Sequence, residues 1–217
     1  MQPAPPPFET FAPLRSLPFL FHAFTLRTDA DTRAPNYERA MVRAFGHRKF
    51  ARAEQPHSNG VAHVNAPGTY PGVDALVTTV RGLVLLIRCA DCAPIFLVAP
   101  LAHAIALVHC GRKGIQANVV HAAVSVMPAP PDSLLAVIGP CIGPCHYEVD
   151  LWTGIETQLR AAGVRNIHNE RRCTACRPDR YYSYRAERGQ TGRMFALLAL
   201  RQPKRDNRRV AALSSQP

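Results

Sequence analysis

Three short polar segments of this 217-residue chain carry side chains that bind metal ions. The segments are "EQPHSNGV" with His57, "RCADCAP" with Cys92 and "LVHCGRKG" with His109. Neutral imidazole and thiolate suit zinc, and three protein ligands leave its fourth position open. A water molecule bound there loses a proton near neutral pH. These residue types fit a catalytic zinc centre, with Gln55 and Asn59 beside His57 as candidate substrate-binding residues.

The same residues are compatible with other interpretations. His57 fits an exposed surface histidine, and Cys92 fits a small buried apolar side chain. Cys92 and His109 also fit a nucleophile with its general base, as in an amide hydrolase or deamidase. A structural zinc site of four thiolates is a further interpretation. Its candidate ligands are Cys141, Cys145, Cys173 and Cys176.

The turn "HCGRKGIQ" places two cations before a predicted helix. Gly111 and Gly114 flank Arg112 and Lys113 in this turn. Free N–H groups and the helix dipole favour an anion at a helix N-terminus. The spacing is not that of a Walker loop. Arg112 and Lys113 are therefore candidate phosphate-binding residues.

The formal net charge of +11 is concentrated in two segments. The tail from Arg201 has five basic residues against one acid, and residues 171 to 193 include seven arginines against two acids. A basic surface raises the local concentration of anions such as phosphate, a nucleotide or RNA. An RNA-binding module is disfavoured, because no single-strand-binding signature accompanies the dense aromatic group. That group consists of Tyr181, Tyr182 and Tyr184.

Composition favours a chain that folds around a core in a reducing compartment. Hydrophobic residues make up 47% of the sequence, and no apolar run reaches the roughly 18 residues of a membrane span. The proline-rich N-terminus lacks the basic start and apolar stretch of a secretory signal, so we expect a cytoplasmic protein. Seven cysteines in such a protein indicate metal binding or catalysis rather than disulfides.

Apolar patterns predict the elements that must position these side chains. Two strands with a turn near Arg81-Gly82 are predicted in "VDALVTTVRGLVLLIR". Two more are predicted in the hairpin "PIFLVAPLAHAIALVH", and single strands in "SLLAVIG" and "MFALLAL". Helices are predicted in "APNYERAMVRAFG", "GIQANVVHAAVSVM" and "DLWTGIETQLRAAG". This mixture indicates an α/β or α+β fold with a mixed sheet. We expect a proline-rich extended arm over residues 1–18, one catalytic domain over 19–200 and a basic tail over 201–217.

Taken in order, several motifs resemble those of the YfiH-like proteins, also labelled polyphenol oxidases or laccase-domain proteins. The matching segments are "QPHSNGV", "DALVT", "ADCAP", "HCGRKG" and "GPCIGPCHYEV". Near the end follow Cys173-Thr174, Ser183-Tyr184-Arg185 and Thr191-Gly192-Arg193. The resemblance covers roughly residues 20 to 200 of the chain.

The resemblance implies a single-domain layered α/β/β/α sandwich with mixed sheets. It also implies a zinc-dependent purine nucleoside phosphorylase that acts on adenosine, inosine and methylthioadenosine and deaminates adenosine, with phosphate as the second substrate. The implied metal ligands are His57, Cys92 and His109. Asp91, and Arg27 in "FTLRT", are implied catalytic residues, and Arg27 is also a candidate to hold phosphate or the leaving base.

Two features depart from the family pattern, and one label fits poorly. Arg112 and Lys113 replace a tryptophan and an arginine, which removes an aromatic surface and changes the phosphate geometry. The segment "RTDADTRAPNYERA" after the early arginine is short. The older label implies copper and phenol oxidation. Multi-copper sites need many histidines in H-x-H patterns, but none of the nine histidines here forms one.

Overall fold

The computed structural model describes residues 4 to 203 and contains twelve strands. They are β1 (Phe8–Glu9), β2 (Leu20–Thr25), β3 (Lys49–Ala53), β4 (Val61–His63), β5 (Gly68–Tyr70), β6 (Ala75–Thr78), β7 (Leu83–Cys89), β8 (Ala93–Ala99), β9 (Ala104–Cys110), β10 (Leu135–Ile138), β11 (Asn166–Asn169) and β12 (Met194–Leu200). The helices are α1 (Ala12–Arg15), α2 (Tyr37–Ala44), α3 (Arg112–Gln116), α4 (Val119–Ser125) and α5 (Leu151–Ala161), with a 3-10 turn at Pro131–Ser133. None of the described helices has the length and apolar character needed to cross a membrane.

The strands form two six-stranded mixed sheets. The first sheet has the order β1-β2-β12-β7-β3-β5, and the second has the order β11-β10-β8-β9-β6-β4. Strands β8, β9 and β12 are buried along their whole length. Their continuous Val, Ile, Leu and Ala content is typical of strands that are covered on both faces.

Apolar side chains fill three layers of contact. The two sheets pack face to face through residues such as Phe24 and Ile87 of the first sheet and Phe96 of the second. Helices α3, α4 and α5 cover the outer face of the second sheet, while α2 covers the outer face of the first. The fold is therefore an α/β/β/α sandwich, as the resemblance implied.

Most predicted elements are confirmed, and their ends follow local chemistry. The β8–β9 hairpin forms around Pro100, and α2 ends before Gly46, which has φ 84°. Asp150 caps α5 by accepting a hydrogen bond from the Thr153 N–H at 3.1 Å. Gly163 after α5 has φ 91°, a backbone conformation that favours glycine.

One predicted helix is interrupted. The segment "GIQANVVHAAVSVM" divides between α3 and α4, because Asn118 lies between them with φ 59°. A residue in the left-handed region ends a helix, and asparagine tolerates that conformation. Because α3 has only five residues, its dipole is smaller than that of the longer helix predicted to follow Arg112 and Lys113.

The N-terminal segment is partly integrated into the domain rather than wholly extended. Strand β1 pairs with β2, and Phe11 and Leu14 of the α1 region are buried in the core between the sheets. The sequence pattern missed this packing because the prolines obscure the apolar periodicity. The boundaries at residues 18 and 200 stay predictions, and residues 204 to 217 of the basic tail lie outside the described residues.

We expect Phe11→Ala to lower the free energy of unfolding by about 3 kcal/mol, because it removes a buried ring from the core. Phe11 is 1% exposed, and its ring centroid lies 5.3 Å from that of Phe96. Urea unfolding measures the change. Phe8→Ala, which truncates a ring that is 43% exposed, is the control and should cost less than about 1 kcal/mol. Equal losses in both variants would contradict a core role for this segment.

Candidate active site

Two loops and the end of strand β9 bring the predicted metal-binding side chains together. His57 lies between β3 and β4, Cys92 lies immediately before β8, and His109 lies near the end of β9. One donor atom from each residue lies within 4.8 Å of the other two. Cys92 Sγ is 3.9 Å from His57 Nε2, and the two imidazole ring centroids are 5.0 Å apart. The donors come from both sheets, so packing of the sheets is what assembles the cluster.

Unusual backbone conformations aim these loops. Gln55, His57 and Asp91 have φ values of 70°, 67° and 86°, a region that costs non-glycine residues about 1–3 kcal/mol each. The Gln55 side chain secures the first loop: it donates to the Arg88 carbonyl at 2.7 Å and accepts from the Arg88 N–H at 2.9 Å. The amide that was a candidate substrate contact is thereby engaged with β7.

Asp74 is a site residue that the sequence analysis did not single out. Its carboxylate is buried, accepts a hydrogen bond from His109 Nδ1 at 2.8 Å and accepts another from the Ser58 N–H at 2.7 Å. Burial raises the pKa of Asp74, but the hydrogen bonds from His109 and Ser58 outweigh it and lower that pKa. With the Nδ1 proton held by Asp74, the other ring nitrogen of His109 is the one left for a metal ion.

Gly111 permits the close approach of two of these loops. A Cβ atom at this position would lie 2.5 Å from Cys92 Sγ and 3.9 Å from a His57 ring carbon. A side chain would therefore displace the thiol or occupy the space beside the donor atoms. Gly111 of the "HCGRKG" turn therefore serves the cluster, and Arg112 of the same turn lines the cavity around it.

Cys92 and His109 stabilise one another in their charged forms. Burial raises the pKa of Cys92, but the charge of His109 and hydrogen bonds from both histidines lower it to about 6. Burial lowers the pKa of His109, but the Cys92 thiolate and Asp74 raise it to about 9. At neutral pH the metal-free pair is a thiolate and an imidazolium, so a divalent cation would replace the His109 proton. Donor chemistry and geometry fit a metal ion.

The cluster lies in a cavity of about 550 Å³ with a basic and aromatic lining. Four arginines line it, namely Arg88, Arg112, Arg185 and Arg193. Tyr147 and Tyr184 contribute aromatic walls, and the Arg185 guanidinium lies 4.5 Å from the Tyr147 ring centroid. Glu148 contacts both Arg112 and Arg185 at 3.5 Å. The cavity has the size and polarity of a small-molecule site that accepts an anion.

The structure brings some predicted residues to this cavity and leaves others out. His57, Cys92, His109, Asp91, Gln55 and Arg112 line it. Within the described chain, its lining does not include Arg27, Asn59 or Lys113. Arg27 instead forms an ion pair with Glu187 at 2.6 Å and lies 4.5 Å from the Tyr182 ring centroid. Asn59 and Lys113 are exposed.

Asp91 holds the cavity wall together. Its two carboxylate oxygens accept hydrogen bonds at 2.7 Å from the Thr174 hydroxyl and from the Arg185 N–H. The backbone carbonyl of Asp91 accepts from the Ile142 N–H at 2.9 Å. Through these contacts Asp91 positions Arg185 in the cavity wall.

Tyr147, Tyr184 and Arg185 escaped the sequence analysis as site residues, although the motifs contain them. They occur in "CHYEV" and in Ser183-Tyr184-Arg185, both of which the resemblance had matched. Nothing in the local pattern indicates that these segments, one after β10 and one before β12, reach the same cavity. The two tyrosines give the cavity an aromatic surface although Arg112 stands where the family pattern has a tryptophan.

Comparison with known proteins identifies the family. The family model described as multi-copper polyphenol oxidoreductase laccase matches residues 22–151 and 147–201. A purine nucleoside phosphorylase named YlmD from Geobacillus stearothermophilus is 30% identical over 89% of this chain and 87% of its own length. A purine nucleoside phosphorylase from Deinococcus radiodurans is 34% identical over 77% of this chain and 76% of its own length. The chain belongs to the multi-copper polyphenol oxidoreductase laccase family.

Solved structures share the fold of this laccase-family chain. The crystal structure of YlmD from Geobacillus stearothermophilus matches with a TM-score of 0.83 over 91% of this chain and 100% of that one, at 24% identity. That of the hypothetical protein YfiH from Bacillus licheniformis matches with a TM-score of 0.82 over 90% of this chain and 99% of that one, at 21% identity. The layered sandwich is therefore common to this laccase-family chain and both neighbours.

We expect Asp74→Asn to weaken zinc binding at the His57, Cys92 and His109 cluster by about 10- to 100-fold. The reason is that the Asp74 carboxylate fixes the orientation of the His109 ring. The readout is the zinc concentration that protects Cys92 from alkylation, followed by mass spectrometry of its peptide. Asp132→Asn, which changes an exposed carboxylate, is the matched control and should leave that concentration unchanged. Identical protection in Asp74→Asn and the parent protein would refute this role.

Proposed function

We propose that the chain is a zinc-dependent purine nucleoside phosphorylase that acts on adenosine, inosine and methylthioadenosine and also deaminates adenosine. The activity named for several relatives at 30–36% identity supports phosphorolysis. The metal ligands are His57, Cys92 and His109. The substrates are a purine nucleoside and phosphate, or water in the deamination. We place the enzyme in the cytoplasm, where thiols such as Cys92 stay reduced.

One observation carries the proposal: three side chains that could together hold a metal ion lie in the same cavity as four arginines and two tyrosines. Purine rings stack on tyrosine faces, so Tyr147 and Tyr184 would hold the base. Guanidinium groups bind phosphate oxygens through paired hydrogen bonds. Arg112 and Arg185, which each contact Glu148 at 3.5 Å, would exchange that carboxylate for phosphate.

In phosphorolysis a phosphate oxygen attacks the ribose anomeric carbon while the bond to the base nitrogen breaks. The base leaves with the bonding electron pair and takes up a proton. The arginines would hold phosphate close to the anomeric carbon, and this orientation lowers the entropic part of the barrier. Asp91 would keep Arg185 in place through the backbone N–H contact at 2.7 Å.

In deamination the oxygen of water bonds to the purine carbon that bears the amino group, the carbon–nitrogen bond breaks, and ammonia leaves. Adenosine thereby becomes inosine, which would itself be a substrate for phosphorolysis. A bound zinc ion would supply a Lewis acid that makes water a better nucleophile. The residues that hold the base would serve both reactions, since the nucleoside occupies one cavity.

Copper-dependent phenol oxidation, which the family description suggests, receives less support from the donor groups. Two groups of three or more donors occur within residues 4 to 203, and together they contain three histidines. Several copper ions would require more imidazole ligands than these groups provide. A Cu²⁺ ion still fits the first cluster, so copper content and phenol oxidation belong in the assay.

We expect His57→Ala, Cys92→Ala and His109→Ala each to lose the metal ion of this cluster and at least 100-fold of nucleoside turnover, since each removes one of three ligands. The measurements are elemental analysis and product chromatography with adenosine, inosine and methylthioadenosine, with and without phosphate. Ribose 1-phosphate that forms only with phosphate present supports phosphorolysis, and inosine from adenosine supports deamination.

His168→Ala, which removes an exposed histidine, is the matched control and should retain both metal and activity. Full metal content in all three cluster variants would refute the ligand assignment. Turnover of a phenol in place of all three nucleosides would refute the proposed reaction.

A second candidate function, cysteine-dependent amide hydrolysis, is favoured by one arrangement. Asp74 orients His109, which in turn stabilises the Cys92 thiolate, as in a nucleophile, base and orienting acid. In this case zinc would inhibit rather than activate, because the metal ion would occupy the nucleophile.

We expect alkylation of Cys92 in metal-free protein to accelerate as the pH rises through about 6 and then level off, because the thiolate is the reactive form and its pKa is lowered to about 6. Peptide mass spectrometry gives the rate for this residue. A small-molecule thiol, whose rate rises near pH 8.5, is the reference. Zinc should suppress the reaction. A pH midpoint for Cys92 alkylation that coincides with that of the reference thiol would contradict the pairing of the Cys92 thiolate with the His109 imidazolium. Amide hydrolysis that appears only without zinc would favour the second function.

A further inference from the structure

A second group of metal-binding side chains lies outside the active-site cavity. Cys145, His146, Cys173 and Cys176 each place a donor atom within 4.8 Å of all the others. Cys145 and His146 belong to the loop after β10, and Cys173 and Cys176 belong to the loop after β11. Strands β10 and β11 are parallel neighbours, so the two loops begin at the same end of the second sheet.

The distances among these donors match those of a tetrahedral zinc site. With Zn–S near 2.3 Å and Zn–N near 2.0–2.1 Å, tetrahedral geometry requires S···S of about 3.8 Å and S···N of about 3.5 Å. The Cys145 and Cys176 sulfurs are 3.5 Å apart. His146 Nδ1 lies 3.3 Å from the sulfur of Cys145, 3.5 Å from that of Cys176 and 3.8 Å from that of Cys173.

We propose that Cys145, His146, Cys173 and Cys176 bind a structural zinc ion. Three thiolates and one imidazole form a closed four-ligand set of the kind that structural zinc sites use. A disulfide between Cys145 and Cys176 would require their sulfurs to lie about 2.05 Å apart, whereas they lie 3.5 Å apart. This site replaces the four-thiolate interpretation, because His146 provides the donor that had been expected from Cys141.

Backbone contacts hold the two ligand-bearing loops in register. The Cys141 N–H donates to the Arg172 carbonyl at 3.1 Å, and the Thr174 N–H donates to the Cys141 carbonyl at 3.1 Å. The Gly143 N–H donates to the Cys173 sulfur at 3.3 Å, which is a contact that stabilises a metal-bound thiolate. The first two bonds use the Cys141 backbone, while the Cys141 side chain stays in the core.

The charges around this group suit a zinc thiolate centre. Three thiolates and one zinc ion leave a net charge of −1. Arg171, Arg172, Arg177 and Arg180 line the hollow that contains the three cysteines. All four arginines also form ion pairs with carboxylates, while their guanidinium groups lie beside the residual charge of the site. Part of the basic segment at residues 171 to 193 is therefore engaged within the protein.

The zinc ion would support one wall of the active-site cavity, and this role rests on the proposed function. Tyr147 follows His146 directly, and Thr174 lies between the two cysteines of the second loop. The Thr174 hydroxyl donates to Asp91, which also accepts from the Arg185 N–H. Release of the metal would loosen Tyr147 and Arg185 together, so it should raise KM more than it lowers kcat.

The test is the zinc content of full-length protein purified with reductant and zinc. We expect two equivalents in the parent protein and one in Cys145→Ser and in Cys176→Ser. Cys176→His, which preserves a zinc ligand, should keep two. His121→Ala, which removes an exposed histidine on α4, is the matched control and should also keep two.

A measurement on the parent protein covers the case in which a variant fails to fold. Cobalt-substituted protein should show tetrahedral absorption bands with strong thiolate charge transfer, and these should persist in Cys92→Ala. Equal zinc content in the parent protein and in Cys176→Ser, loss of the cobalt bands in Cys92→Ala, or a Cys145–Cys176 disulfide in freshly isolated protein would overturn the proposal. The readout is the difference of one equivalent between the parent protein and Cys176→Ser. That difference does not depend on whether His57, Cys92 and His109 bind a metal ion, so failure of the proposed function remains distinguishable.

Discussion

The buried contact between Asp74 and His109 is the interaction on which the candidate active site depends. The side-chain bond of 2.8 Å fixes the imidazole, and the His109 N–H donates to the Asp74 carbonyl at 2.8 Å. The Asp74 N–H donates to the Gly60 carbonyl at 3.0 Å, while its carboxylate holds Ser58. One residue immediately before β6 therefore connects the His109 strand with the loop of His57. A buried carboxylate is stable only when it has hydrogen-bond partners. The loops therefore stabilise the Asp74 charge, and the hydrogen bonds to Asp74 hold the loops in place.

The rigid sheets beneath the site allow strained loops above them. Gln55, His57 and Asp91 adopt left-handed backbone conformations that are unfavourable for residues other than glycine. The apolar core between the two sheets and the hydrogen bonds of Gln55 and Asp91 offset that cost. The protein's own contacts therefore hold the donors in place, which reduces the entropy lost on binding.

The two metal-binding groups are physically connected through Asp91 and Thr174. Asp91 precedes a ligand of the first group, and Thr174 follows a ligand of the second. Their hydrogen bond of 2.7 Å joins the loops, and Arg185 is held by the same carboxylate. This arrangement suggests a division of roles in which one metal ion takes part in chemistry and the other stabilises the wall that faces the substrate.

The sequence by itself determined the elements and the types of donor. Apolar runs such as "PIFLVAP" and capped segments such as "DLWTGIETQLRAAG" specify strands and helices locally, since burial and capping act over a few residues. The motifs also identified His57, Cys92 and His109, which the structure brings together. The prolines of the N-terminal segment concealed the burial of Phe11, and the break at Asn118 required a left-handed residue that no periodicity reveals.

The tertiary structure alone decided which of these side chains share a site. Asp74 reaches His109, His146 rather than Cys141 joins the second group, and Arg27 pairs with Glu187 away from the cavity. Each outcome depends on contacts between segments 27 to 160 residues apart in the chain. Local propensity carries no information about such contacts, because the packing of the two sheets determines which loops meet.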